Sequence, residues 1–113
     1  MKVYNATKKQ CLADTAIMAD TFIKRLKGLL GQPGLPAGWC MVLKPCSSIH
    51  TMFMRFSLDV LFVDRHSRVS AVVRDMPPYS FSGVVKDSRL VIEFPAGTLA
   101  STGTAPGDII EIG

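Results

Sequence analysis

Short β-type runs separated by turn-forming residues are the feature that most constrains what this chain can fold into. Each run has the length of a single strand. Residues 10–18 and 57–63 show alternation, whereas residues 39–43 are continuously apolar, as in a short buried strand. The runs that predict strands are residues 2–5, 10–18, 39–43, 57–63, 69–73, 89–94 and 108–112. Residues 32–38 and 76–80 each contain two prolines, which cannot donate to a sheet ladder. The pattern predicts an α+β, mainly β fold, as a compact antiparallel β sandwich or a distorted barrel.

One segment, residues 20–30, changes to a helical period. Apolar side chains recur there at offsets of four, seven and eight, which places them on one face of a helix. Asp20 or Thr21 can cap its start, and Gly31 can close its end. The sequence therefore predicts one amphipathic helix near residues 20–30.

Residues 64–67, Asp-Arg-His-Ser, have the composition of a tight turn between two strand-like runs. They predict a hairpin that joins residues 57–63 to residues 69–73. Residues 96–107 are rich in glycine and threonine and predict turns between the last two strands.

Length and composition favour one folded domain over residues 1–113. Apolar residues make up 48% and charged residues 19% of the 113-residue chain, which is the balance of a packed globule. No run approaches the roughly 20 apolar residues of a transmembrane helix, and the start of the chain does not resemble an export signal. We therefore expect a soluble, cytoplasmic protein without a membrane partner.

The net charge of +4 originates in the first part of the chain. Residues 1–31 carry six cations and two anions, and the remaining residues carry seven of each. A basic segment can bind nucleic acid, but no aromatic stacking pattern or groove-reading motif accompanies it. We expect a solvated surface and no nucleic-acid partner.

The three cysteines, Cys11, Cys40 and Cys46, predict reduced thiols, because the count is odd and nothing indicates secretion. The apolar or small neighbours of Cys11 and Cys40 favour inert core positions. Cys40, Cys46 and His50 are metal-ligand types, but five residues separate the two cysteines, unlike the paired ligands of structural zinc sites. We expect no metal and no cofactor.

Residues 46–59 contain the densest cluster of reactive side chains. Cys46 and His50 are the types of a thiol nucleophile and its base, and Asp59 could orient the imidazole. The chain has no Gly-x-Ser-x-Gly nucleophile motif, and no catalytic residue can be assigned. A hydrolase-like enzyme that uses Cys46 or His50 is one hypothesis.

Arg55 and His50 support a different hypothesis, in which a guanidinium and an imidazole bind a carboxylate or a phosphate. Arg55 lies among apolar residues, so we expect a partner that permits its burial. That partner is either a bound anion or an internal carboxylate, Asp59 or Glu93. The sequence leaves both open.

Two sequence blocks resemble a known family. One is His-Thr-x-x-Met-Arg-x-x-x-Asp from His50 to Asp59, and the other is Glu-x-Pro-Ala-Gly from Glu93 to Gly97. With residues 25–30 and 107–108, they resemble the domain of unknown function 192 family over nearly the whole chain. The resemblance implies a small, mainly β bacterial or archaeal domain, without an established activity, cofactor or catalytic residue. The positions that match the family pattern are Arg25, Gly28, His50, Thr51, Met54, Arg55, Asp59, Glu93, Gly97, Gly107 and Asp108.

The leading hypothesis is a binding or accessory domain for a small anionic or polar ligand. Its candidate ligand-binding residues are His50, Thr51, Arg55, Asp59 and Glu93. A structural protein-interaction module is the further alternative, in which these polar groups pair with one another. The sequence identifies no protein partner.

Overall fold

The protein is described from a computed structural model, which describes residues 1–19, 34–44, 47–51 and 54–113. Eight strands and one short helix lie within these residues. They are β1 (Val3–Asn5), β2 (Gln10–Ala13), β3 (Thr15–Ala19), β4 (Trp39–Leu43), β5 (Leu58–Asp64), β6 (Val69–Met76), β7 (Ser88–Pro95), α1 (Thr98–Thr102) and β8 (Ile110–Ile112). The mainly β prediction is confirmed, whereas the predicted helix near residues 20–30 lies outside the described residues.

The strands form two sheets. One has three strands in the order β2-β1-β8, and the other has five in the order β3-β4-β7-β5-β6. Every pairing of these strands is antiparallel except that of β3 with β4, which is parallel. A parallel pair needs a long crossover connection, and the chain between β3 and β4 has the length for one.

The predicted strand over residues 10–18 is in fact two strands, divided at Asp14. The Asp14 and Thr15 N–H groups both donate to the Gly38 carbonyl, at 2.9 and 3.1 Å. This contact ends β2 in the three-stranded sheet and starts β3 beside β4 in the five-stranded sheet. The continuous β-type pattern concealed the break, because residues on both sides of Asp14 are strand formers.

The hairpin predicted at residues 64–67 is confirmed. The Asp64 carboxylate accepts the N–H groups of His66 and Arg68, at 2.8 and 3.0 Å. These hydrogen bonds hold the turn that an aspartate at its first position favours. β5 and β6 therefore leave the turn as adjacent antiparallel strands.

Two apolar clusters pack on opposite faces of the five-stranded sheet, as the alternation of strand side chains requires. The first cluster joins this sheet to the three-stranded sheet and α1, and comprises Val3, Leu12, Ala13, Cys40, Val42, Leu61, Val63, Val69, Ile92, Phe94, Leu99 and Ile110. The second cluster comprises Met41, Leu43, Ile49, Met54, Leu58, Val60, Phe62, Met76 and Val91. The described residues contain no helix long and apolar enough to cross a membrane.

Helix α1 was not anticipated, because residues 96–107 read as a turn-rich stretch. Gly97 precedes the helix with φ 97° and Gly103 follows it with φ 67°, and both values lie in the left-handed region that glycine adopts readily. Leu99 is fully buried in the first cluster. The glycines are therefore boundaries of a short helix that one leucine anchors to the core.

Candidate functional site

Asp59 is a buried carboxylate that backbone N–H groups surround. Its Oδ1 accepts the N–H of Asp75 at 2.8 Å. Its Oδ2 accepts the N–H groups of Gly97 and Leu99, at 3.0 and 2.9 Å. Since Asp59 is only 1% exposed, this carboxylate links β5, β6 and the start of α1 inside the protein. The arrangement gives no support to Asp59 as the residue that orients the His50 imidazole.

Asp59 and Glu93 project to opposite faces of the five-stranded sheet. Asp59 is paired with Phe94 of the first cluster, whereas Glu93 is paired with Val60 and Met41 of the second. Directly paired residues share a face, so the two carboxylates are separated by the sheet although their strands are adjacent. The structure thus does not bring all five candidate residues into one cluster.

Glu93 is fully buried on the second face. Ile49 and Met54 belong to the cluster on that face, and they are the chain neighbours of His50 and Arg55. Glu93 and the segment that carries His50 and Arg55 therefore lie on the same side of the sheet.

Thr51 joins its own segment to the loop between β6 and β7. Its hydroxyl donates to the Pro77 carbonyl at 2.6 Å and accepts the Ser80 N–H at 2.9 Å. Its backbone N–H donates to the Ser80 carbonyl, and its carbonyl accepts the Tyr79 N–H, both at 2.9 Å. Thr51 is fully buried, and its hydrogen bonds connect the segment that carries His50 to the loop between β6 and β7.

His50 is half-buried beside an exposed aromatic ring. It forms an antiparallel bridge with Phe81, and the two ring centroids are 5.9 Å apart at an interplanar angle of 52°. Phe81 is 74% exposed, and Tyr79 and Val84 on the same loop are 60% and 76% exposed. The imidazole therefore lies at the edge of an apolar surface that solvent reaches.

Arg55 is exposed, so the burial expected from its apolar sequence neighbours is not observed. Its neighbour Met54 takes the core position instead, at 3% exposure. The Met54 N–H donates to the Thr51 carbonyl at 3.1 Å, which holds the residues next to His50 and Arg55 close together. No ion pair within the described ranges joins Arg55 to a carboxylate.

The comparisons with known proteins identify the family. The DUF192 model, described as "Uncharacterized ACR", matches residues 3–112. The chain belongs to this family. A UPF0127 protein of Thermococcus sibiricus is 31% identical over 111 residues, which are 95% of this chain and 71% of that protein. A UPF0127 protein of Pyrococcus horikoshii is also 31% identical, over 96% of each chain.

The fold recurs in a solved structure. A protein of unknown function from Novosphingobium aromaticivorans superposes with a TM-score of 0.82 at 22% identity, over 98% of this chain and 82% of that one. The family description and these relatives assign no specific activity.

Two positions of the DUF192 sequence pattern, Asp59 and Gly97, have a structural explanation. Asp59 ends its first block and Gly97 ends its second, and the Gly97 N–H donates to Asp59 Oδ2. At φ 97° the Gly97 backbone is strained for any residue with a Cβ. The match at these two positions is therefore explained by a hydrogen bond that stabilises the fold.

A second polar network joins residues 5–8 to residues 104–108, and the sequence did not predict it. Asn5 is fully buried and donates to Thr104 Oγ1 at 3.1 Å and to Asp108 Oδ2 at 2.9 Å. Lys8 Nζ pairs with Asp108 Oδ1 at 3.0 Å. The match of Asp108 to the family pattern was the one available signal, since Asn5 lies about 100 residues away in sequence.

These contacts also set the protonation of Asp108. Burial raises the pKa of its carboxyl, but hydrogen bonds from Asn5, Ala105 and Lys8 outweigh burial and leave the pKa below the usual 3.8. The carboxylate therefore stays charged and holds the network together at neutral pH.

The described cysteines differ in environment. Cys40 is fully buried in the first cluster, as expected, and burial raises the pKa of its thiol to about 12. The expectation that Cys11 is also a core residue is wrong, because Cys11 is exposed on β2 while Leu12 and Ala13 take the inward positions. Cys46 lies outside the described residues, so its suggested roles as nucleophile or ligand stay predictions. Within the described ranges, no three His, Cys, Asp or Glu side chains are grouped to hold a metal ion.

Proposed function

We propose that this DUF192 member is a binding domain for a small anionic or polar ligand, which His50 and Arg55 contact directly. The supporting observation is the exposure of Arg55 without an ion pair to any described carboxylate. A guanidinium carries five N–H donors and stays charged, so a free one attracts carboxylates and phosphates.

The other three candidate residues act through the framework in this proposal. Thr51 fastens the segment that carries His50 and Arg55, and Asp59 holds the sheet to α1 from the opposite face. Glu93 lies buried on the face of the second cluster. A ligand that meets His50 and Arg55 would thus bind a preorganised surface, which lowers the entropic cost of binding.

The alternatives have less support. The Asp59 carboxylate accepts three backbone N–H groups and lies on the opposite face of the sheet from the segment that carries His50, so its contacts do not support a Cys46–His50–Asp59 triad. A hydrolase that uses Cys46 or His50 stays a prediction. A purely structural module would pair its polar side chains internally, and Arg55 departs from that pattern. Cytoplasmic location and the absence of a nucleic-acid or membrane partner also stay predictions from the sequence.

A site-resolved titration tests the proposal. Phosphate and acetate are added separately to ¹⁵N-labelled protein, and amide shifts are followed for wild type, Arg55→Ala and the matched control Arg68→Ala. Arg68 is also exposed and carries the same charge, but it lies beyond the far end of β5. We expect saturable shifts at His50 and Arg55 in wild type and in the control, and their loss in Arg55→Ala.

Two results would count against the proposal. Absence of saturable shifts at His50 and Arg55 with either anion would remove the binding role. Equal weakening by Arg55→Ala and Arg68→Ala would show attraction by net charge alone, without a defined site.

A further inference from the structure

A surface cavity of about 400 Å³ lies between the β5–β6 turn and the start of β7. This size falls within the range of small-molecule sites, roughly 300 to 1,000 Å³. Its lining residues are Asp64, Arg65, His66, Lys86, Asp87 and Arg89. Arg55 precedes the first residue of β5 and Asp64 is the last. At about 3.3 Å per residue, this strand separates the cavity from Arg55 by roughly 20 Å.

Three cationic side chains line the cavity together with two carboxylates. Arg65, Lys86 and Arg89 are all exposed. Two carboxylates line the same cavity, yet no ion pair found in the described part of the chain involves any of these cations. With His66 neutral, three cations against two carboxylates leave the lining with a net positive charge of one, which favours an anion over a cation.

The Asp64 carboxylate hydrogen-bonds to the backbone of the turn and forms no ion pair with a cavity cation among the described residues. Its Oδ1 accepts the N–H groups of His66 and Arg68 at 2.8 and 3.0 Å. The hydrogen bond from Arg68 is the main cause that holds the pKa of Asp64 below its usual 3.8. The carboxylate thus stays charged and bound to the backbone.

The same turn orients one of the cations. The Arg65 Nε–H donates to His66 Nε2 at 3.2 Å. This contact leaves the two Nη groups of Arg65 for other partners. Ser67, with φ 62°, completes a turn whose backbone hydrogen bonds fix its shape. The cavity wall is therefore formed before any ligand arrives.

We propose that this cavity binds a small phosphate-bearing anion, at a site separate from His50 and Arg55. The guanidinium groups of Arg65 and Arg89 can donate in pairs to phosphate oxygens, and the Lys86 ammonium adds a point charge. Three cations around one cavity match the several negative oxygens of a phosphate group better than the single charge of a monocarboxylate. The ligand class is thus defined by phosphate recognition.

The test is a titration of ¹⁵N-labelled protein with inorganic pyrophosphate. We expect saturable shifts in residues 64–66 and 86–89 of wild type. Arg89→Ala should weaken this binding about tenfold and Lys86→Ala about threefold, because each removes a charged donor. Arg68→Ala is the control, since it removes an equal charge from the same hairpin but not from the cavity lining.

The spectra also verify that each variant is folded and separate this site from the first one. Shifts at His50 and Arg55 report the proposed function, whereas shifts at residues 64–66 and 86–89 report the cavity. No saturable response in the cavity residues, or equal weakening by Arg68→Ala and Arg89→Ala, would overturn the inference. Binding of a single-stranded oligonucleotide that depends on Arg89, without binding of pyrophosphate, would also overturn it and indicate a nucleic-acid surface.

Discussion

Replacing Asp59 with alanine should be among the most destabilising substitutions in this protein. The change removes the acceptor of three backbone N–H groups, from Asp75, Gly97 and Leu99, in a place that is 1% exposed. Hydrogen bonds to a charged acceptor contribute about 1.5 to 3 kcal/mol each, which gives a gross loss of about 4.5 to 9 kcal/mol. The carboxylate no longer has to be desolvated, so we expect a net loss of about 3 to 5 kcal/mol.

Denaturant unfolding measures this loss, with the slope m compared to ensure that the transition is unchanged. Asp59→Asn retains one acceptor oxygen and the shape of the side chain, so it should cost less, about 1 to 3 kcal/mol. Asp87→Ala removes an exposed carboxylate and should stay within about 0.5 kcal/mol of wild type. A loss below about 1 kcal/mol for Asp59→Ala would refute the view that this carboxylate joins the sheet to α1.

Three further substitutions or assays test other parts of the account. The folded pKa of Asp108 is lowered, so its stabilising effect is present above the unfolded value of 3.8 and is lost as pH falls through the folded pKa. Asn5→Ala should therefore flatten the fall of unfolding free energy in acid, and an unchanged profile would contradict this. At about pH 8 a disulfide reagent should modify Cys11 in native protein but Cys40 only after unfolding. Equal rates of modification of the two thiols in native protein would contradict the assigned burial. Gly97→Ala should lower the free energy of unfolding by about 1 to 2 kcal/mol, because an alanine is strained at φ +97°. The added Cβ has no atom within 4 Å, so backbone strain is the whole effect. An unchanged free energy of unfolding would mean that the turn relaxes.

The strands were predictable where one local pattern determined them. Trp39–Leu43 was predicted with the observed bounds, because a short apolar run between glycine and lysine matches a buried strand. The turn at Asp64 was predictable because its carboxylate bonds to the backbone two residues later. Both predictions depended on neighbours in sequence.

The candidate site was harder to predict, because its geometry depends on pairing between distant strands. The sequence predicts that Asp59 and Glu93 lie in strands, but only the observed pairing and register show that these strands are adjacent and that the two side chains project to opposite faces. Arg55 lies among apolar residues in sequence. In the structure, Met54 is buried in the core and Arg55 is exposed to solvent. Whether an individual polar residue is buried depends on strand register and tertiary packing, which the local sequence pattern does not determine.

The central claim is that Arg55 remains exposed and outside the polar framework, so that it is available to a ligand. The unfolding free energy of Arg55→Ala tests this claim most directly. The measurement uses denaturant in buffer without phosphate or carboxylate, so that no anion contributes. The account predicts a value within about 0.5 kcal/mol of wild type, because an exposed side chain without an ion pair is removed. A loss of about 3 to 5 kcal/mol would contradict the account, since it would show that Arg55 pairs with a buried carboxylate inside the fold.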